Sequence, residues 1–405
     1  MKRTIVIMGA AAAVTLGMST TGGPVVAAGT PTWTFQPVIT HLNEPRGLSF
    51  DGGGNLYVAE AGKPGSGTAG MTRTGAVDRF RWAGGALAAV WSTHFTSIFS
   101  PGEGGGTDVL GPAAVTATGA SCHGHEGQSG GMRGEHGGCQ VEAILSESHR
   151  GIKAATGLSV PQIGHLYGLN RSNGRAKSLS DVGDQNYAWT AEHVNLFPDD
   201  FPDSNPYAVL RIRTNDRDRG HHHRAASRTF VADAGANTIS EILRNGRSRV
   251  IAYIPNETSG AMRDATPTCI AEGPDGALYV GALDLVSNFA AGSGQSNVWR
   301  VDPNSTNWRH NASLWATGYT TINGCTFDRH NNFWASELFY PNASGPPGDL
   351  AVAPFRHPSV ITHVGGGALP LPGGIDQGPD GAMYVSVGAA DSTPESGAVV
   401  RVARR

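Results

Sequence analysis

Pro267-Thr-Cys-Ile-Ala-Glu-Gly-Pro-Asp-Gly-Ala-Leu-Tyr279-Val280 and Pro372-Gly-Gly-Ile-Asp-Gln-Gly-Pro-Asp-Gly-Ala-Met-Tyr384-Val385 are two copies of one phrase. A third copy reads Pro45-Arg-Gly-Leu-Ser-Phe-Asp-Gly-Gly-Gly-Asn-Leu-Tyr57-Val-Ala-Glu60, and a fourth Ile322-Asn-Gly-Cys-Thr-Phe-Asp-Arg-His-Asn-Asn-Phe-Trp334-Ala-Ser-Glu337. Twelve positions separate the first residue from the aromatic in every copy. Each copy has the chemistry of a β-hairpin. Apolar and aromatic residues suit two buried strands, and the Asp-Gly or Asn-rich centre supplies the positive φ angles of a tight turn.

Working outward, each hairpin is followed by further short apolar runs, such as 75–82 and 88–94 after the first and 297–301 and 312–316 after Tyr279. Four strands per unit at a pitch near 50 residues is the arithmetic of a propeller blade, which buries its faces only by stacking on neighbours around an axis. Two further blades are interrupted. Gly111-Pro-Ala-Ala-Val-Thr-Ala117 meets its partner, 140–146, only after an insert at 118–139. Ser204-Asn-Pro-Tyr-Ala-Val-Leu-Arg-Ile212 is separated from Thr229-Phe-Val-Ala-Asp233 by an insert at 213–228. The expectation is an all-β propeller of six four-stranded blades, with 166–188 as the stretch that would hold a seventh.

The N-terminus has a different character. Lys2 and Arg3 precede the apolar run 5–18, which ends in the small-residue stretch Pro24-Val-Val-Ala-Ala28. This is the layout of a secretory signal, and the run falls short of the ~20 apolar residues that a membrane-spanning helix needs. Residues 1–28 therefore read as a signal peptide, and 29–405 as one exported, extracellular propeller domain without a membrane span. Gly is abundant (57 residues) and charged residues are sparse (16%), which favours short strands and turns over long helices. A net charge of −3 offers no basic face for nucleic acid.

The chain resembles the ScyD/ScyE family, named after proteins of the cyanobacterial scytonemin gene cluster. The resemblance rests on Asp203-Ser-Asn-Pro-Tyr207 preceding Val231-Ala-Asp-Ala-Gly-Ala-Asn237, and on the closing segment Gly373–Val385. It implies a secreted bacterial propeller and carries no catalytic residues across. The two inserts depart from the family pattern.

Candidate site residues follow from strand direction. Entry residues of the first strand and end residues of the second share one face of the ring. There Glu60 and Glu337 each lie three positions beyond their aromatic, with Asp233 in the same register and Arg46 and Asn323 at equivalent entry positions. Three carboxylates suit Ca²⁺ or another hard cation; they equally suit accepting backbone N–H groups within their own blades. Four cysteines in an exported chain point to disulfides. Cys122 and Cys139 would close a Gly-rich loop. Cys269 and Cys325 lie ten and nine residues before their aromatics in consecutive blades, which suits a disulfide, two buried thiols or a soft-metal pair. His123, His125 and His136 in one insert and His221, His222 and His223 in the other are candidate ligands for a transition metal, or simply polar loop residues.

No Gly-x-Ser-x-Gly nucleophile elbow or phosphate-cradling loop occurs. The leading expectation is a protein that binds a small molecule, glycan or protein partner through one face. The alternative is a divalent-metal-dependent lactonase- or lyase-like enzyme using Glu60, Asp233 and Glu337 at the channel. Metal capture by the His-rich inserts is a third reading.

Overall fold

The computed structural model describes residues 32–83, 85–102, 106–117, 141–196, 202–214, 226–256, 264–339 and 347–405. The segment read as a signal peptide lies outside them, as do Cys122, Cys139, His123, His125, His136, His221, His222 and His223.

Each copy of the phrase forms the two inner strands of an antiparallel sheet, and there are six such sheets. The innermost strands are Pro45–Phe50 (β1), Pro112–Thr116 (β2), Pro206–Thr214 (β3), Pro267–Glu272 (β4), Ile322–Phe327 (β5) and Ile375–Gln377 (β6). They open blades 1 to 6 in chain order. Residues 166–188 hold no seventh blade: they carry the outer strands of blade 2, His165–Leu169 and Ala176–Asp181, followed by helix α1, Val182–Glu192.

Two details exceed the repeat. Blade 1 has a fifth strand, Thr107–Leu110, paired with the end of Ala86–Pro101. Blade 6 takes its outermost strand from the other end of the chain, because Trp33–Leu42 pairs antiparallel with the C-terminal Gly397–Arg404. Chain ends more than 350 residues apart therefore close the ring.

Closure is visible in the core. Six apolar clusters each lie between adjacent blades. Tyr57 and Val115 meet between blades 1 and 2, and Ile144 and Val231 between 2 and 3. Phe230 packs with Leu278, Tyr279 with Phe333, and Trp334 with Val385. The last cluster joins Leu56 of blade 1 to Tyr384 and Val399 of blade 6. Each such large side chain contributes about 1.5–3 kcal/mol by leaving water, and none finds that burial within its own flat sheet.

The constant spacing of twelve has a structural cause on the face that carries the hairpin turns. The turn aspartate accepts a hydrogen bond from the aromatic of the second strand. Tyr57 Oη donates to Asp51 at 3.1 Å, Tyr279 Oη to Asp275 at 3.3 Å, Tyr384 Oη to Asp380 at 3.2 Å and Trp334 Nε1 to Asp328 at 2.9 Å. The same carboxylates accept from turn N–H groups, as Asp51 does from Gly53 and Asn55. Arg300 and Arg401 add ion pairs to Asp275 and Asp380 at 2.8 and 2.7 Å.

At the opposite face, a bulge interrupts the pairing of the first and second strands at the entry of β1 to β5. One hydrogen bond recurs in all six blades. The carbonyl just before the entry accepts from an N–H beyond the second strand: Glu44 from Ala61, Gly111 from Ser146, Asn205 from Ala234, Thr266 from Leu283, Thr321 from Leu338 and Leu371 from Ala389, at 2.8–3.0 Å. This turn holds Glu44, Thr266, Thr321 and Leu371 at φ between 44° and 52°. That region is sterically costly for residues with a Cβ, most of all for threonine, so the ring over-determines it. Among the described residues no helix is long and apolar enough to cross a membrane.

Candidate functional site at the channel mouth

The entry bulge re-aims one side chain in each of blades 1 to 5. Arg46, Ala113, Tyr207, Thr268 and Asn323 occupy this position and, with Gly373 just before β6, line a central cavity whose wall is drawn from all six blades. One layer deeper the wall is made of small residues. A Cβ on Gly47 would lie 2.5 Å from Ala114 Cα, and one on Gly324 would lie 2.4 Å from the Gly373 carbonyl. Glycine is needed there because neighbouring strands touch. Cys269 and Cys325 sit on the same wall, bridged as a disulfide between β4 and β5 with their Cα atoms 5.6 Å apart. Of the openings left by the sequence, this settles the pair as a disulfide.

Arg46 and Asn323 come together through a residue that sequence reasoning passed over. Tyr207 Oη donates to Asn323 Oδ1 at 2.8 Å, and the Arg46 guanidinium lies 5.8 Å from the Tyr207 ring centroid. Asn323 Nδ2 donates across to the Pro372 carbonyl at 3.0 Å. Arg46 is 7% exposed and donates to Glu44 Oε1 at 2.6 Å and to the Val109 carbonyl at 2.7 Å. The mouth is therefore spanned from blade 1 to blade 6 by polar contacts.

Glu60, Asp233 and Glu337 occupy one register, each opposite the first residue of its own inner strand. All three are buried, and each accepts a backbone N–H from the entry turn of its blade. Asn43 donates to Glu60, Asn205 to Asp233 at 2.7 Å and Thr320 to Glu337 at 2.7 Å. Asp233 accepts further bonds from Ser204 Oγ at 2.7 Å, Ala236 N at 2.9 Å and Asn186 Nδ2 of α1 at 2.8 Å. Desolvation and the neighbouring Asp78 push Glu60 up to about 9. Desolvation also raises Glu337, against the nearby His363, whose Nδ1 lies 3.3 Å from Glu337 and 3.6 Å from Asp349.

A second set of carboxyls was not anticipated from the sequence. Glu44, Asp108 and Glu147 are 1–2% exposed, and the charges of Arg46 and Asp108 act on both glutamates. Burial raises Glu44 to about 7 even with Arg46 beside it. Glu147 is raised well above the carboxylate range by desolvation, then by Asp203 and Asp233. A usable signal existed: Glu44 immediately precedes an entry proline, and Glu147 follows the second strand of an interrupted blade by two positions. Among the described residues no three His, Cys, Asp or Glu side chains form a group able to hold a metal ion.

No protein-family model matches the chain, and no curated protein matches it. Solved structures with a similar path include a streptogramin B lyase, 11% identical with a TM-score of 0.44 over 92% of this chain and 98% of that one. Virginiamycin B lyase from Staphylococcus aureus is also 11% identical, with a TM-score of 0.43 over 92% and 99% of the two chains. A gluconolactonase from Xanthomonas campestris is 9% identical, with a TM-score of 0.47 over 92% and 89%. These are likenesses of chain path only; the six closed blades rest on the strand pairing of this chain itself.

Proposed function

We propose that this chain is an exported propeller of the ScyD/ScyE kind that binds a small polar ligand at the mouth of its channel. The observation that carries the reading is the convergence of Arg46, Tyr207 and Asn323, from blades 1, 3 and 5, over one cavity. A bulge recurs at the entry of blades 1 to 5, yet these positions bear groups of different kinds, Arg46, Tyr207, Thr268 and Asn323, of which Tyr207 bonds to Asn323 and meets the Arg46 guanidinium with its ring. A purely structural ring position would favour one solution repeated six times. Export is supported by the basic-apolar-small layout of residues 1–28 and by the Cys269–Cys325 disulfide, which persists in oxidising compartments.

The test is a thermal-shift screen of the mature protein with neutral, anionic and cationic small molecules, repeated on Tyr207→Phe and Asn323→Ala. A ligand whose stabilisation falls at least tenfold in apparent affinity in both variants supports the mouth. Ligands that bind both variants as tightly as the parent place recognition elsewhere and refute the reading.

A further inference from the structure

Glu337 and Asp349 stand directly opposite one another on neighbouring strands of blade 5, Asn332–Glu337 and Gly348–Pro354, and both are 0% exposed. Like charges in that relation destabilise a sheet, and burial adds to the cost. Pairing with the next strand, Thr362–Leu369, breaks at the same place. Gly348 pairs with Leu369 and Leu350 with Val364, so Asp349 has no counterpart, and Gly365, Gly366 and Gly367 pass it at φ of 124°, 58° and 79°. A Cβ on Gly365 would lie 2.6 Å from Asp349 Oδ1, so the glycine backbone itself covers the acid.

His363 belongs to that bulged strand. Its Nδ1 lies 3.3 Å from Glu337 Oε2 and 3.6 Å from Asp349 Oδ2, which puts one atom within reach of both buried acids. The imidazole is 31% exposed and is the part of the cluster that meets water. Apart from it, Glu337 Oε2 and both Asp349 oxygens have no hydrogen bond of ordinary geometry among the described residues. The other groups facing the cluster are the Tyr319 hydroxyl of blade 4, on the side of Glu337, and the amides of Leu350 and Gly366, on the side of Asp349. His363 supplies the positive charge that acts on both acids. The described side chains form no group of three able to hold a metal ion, which leaves a proton to settle the conflict.

We propose that His363 is a proton-operated clasp: as an imidazolium it bridges Glu337 and Asp349 and pins strand Thr362–Leu369 to blade 5, and on losing its proton it lets that strand go. The device needs no ligand at the mouth, but it reaches the rim. Glu337 Oε1 accepts from Thr320 N at 2.7 Å, so the turn leading into Asn323 is tied to the same acid. Loss of the proton leaves two carboxylates buried face to face. The hydrogen bond to Glu337 raises His363 above the ordinary imidazole value of 6.5, and desolvation raises Asp349 to about 6. The contribution of His363 is therefore complete below 6.5 and is lost as pH rises through its higher folded value.

Amide hydrogen exchange of the mature chain between pH 6 and 8.5, read as protection relative to an unstructured chain at the same pH, follows the clasp strand by strand. The outer strand of blade 4, Ala312–Tyr319, serves as the internal reference. Expected is a fall in protection over Thr362–Leu369 that exceeds the reference at least tenfold, with Thr320 and Thr321 following, in the presence of EDTA as in its absence. NMR titration of the ring, identified by its loss in His363→Gln, should give a midpoint above that of a free imidazole. His363→Gln should show at pH 6 the low protection that the parent reaches at pH 8.5. Asp349→Asn removes the conflict of charges, so its strand should stay protected across the range and its His363 midpoint should drop.

Equal falls in the two strands overturn the proposal, as does a His363 midpoint at or below that of a free imidazole. A response seen only without EDTA assigns the cluster to a metal ion and refutes the proton. If His363→Gln fails to fold, Asp349→Asn decides alone: a fall as steep as the parent's sinks the clasp.

Discussion

The two faces of the ring handle carboxyls in opposite ways. On the face of the hairpin turns, Asp275 and Asp380 each meet an aromatic hydroxyl, a turn N–H and an arginine, and both are held below the ordinary carboxylate range despite partial burial, chiefly by their arginine partners. At the mouth, Glu44, Glu60, Glu147 and Glu337 are raised by desolvation, and unpaired oxygens remain on Glu44 and Glu147. The first arrangement is repeated from blade to blade and solves a local problem. The second repeats only in part, through Glu60 and Glu337, and leaves one oxygen each of Glu44 and Glu147 unsatisfied inside the protein. The repeated arrangement ties each blade together, and the arrangement that departs from it is where we propose that a ligand binds.

The largest expected effect separates the faces by removing one cation from each. Arg46→Met strands Glu44 as an unpaired buried acid and is expected to cost about 3–5 kcal/mol in urea unfolding. Adding Glu44→Gln should recover most of that loss. Arg300→Met on the turn face, where the Arg300–Asp275 pair is partly exposed, should cost about 1 kcal/mol or less. Equal losses for the two arginines would erase the contrast.

The disulfide comes next. It spans 56 positions between β4 and β5 just below the mouth, so replacing both Cys269 and Cys325 by Ala should lower stability by about 2–4 kcal/mol through the freedom returned to the unfolded chain. If the mouth depends on that bridge for its shape, ligand affinity falls with it. Unchanged affinity at reduced stability would show that the entry turns alone hold the mouth.

The smallest effect is a pH profile, and its sign differs between faces. A raised acid binds its proton more tightly folded than unfolded, so its contribution to stability declines as pH climbs from its unfolded value to its folded one. For Glu44 that window runs from 4.5 to about 7. Asp275 and Asp380, held low, contribute above their unfolded value of 3.8 and lose that contribution as the solution is acidified below it. Chemical-denaturation midpoints should therefore fall between pH 5 and 7, and Glu44→Gln should flatten that decline. Asp380→Asn should leave the decline intact and reduce the loss on the acid side. A decline indifferent to Glu44→Gln would assign it to other raised acids such as Asp376, at about 6.

Local sequence determined the blade. The spacing from entry residue to aromatic is legible because one turn aspartate, one aromatic and two short strands satisfy one another within fourteen residues, as Asp380 and Tyr384 do. It also placed Cys269 and Cys325 within reach, since positions one register step apart on the inner strands of consecutive blades lie close together. The closing strand Trp33–Leu42 was not legible: it copies no part of the phrase and finds its partner, Gly397–Arg404, only when the ring shuts.

The mouth was half legible. Arg46 and Asn323 were visible as equivalent positions, whereas Tyr207, which joins them, belongs to a blade whose phrase is interrupted. Glu44 and Glu147 became notable only in three dimensions, because burial and the lack of a partner for one oxygen of each are properties of the surroundings. Repetition along a chain encodes contacts between near neighbours. What a side chain meets across the axis depends on how the blades close, and no local pattern records it.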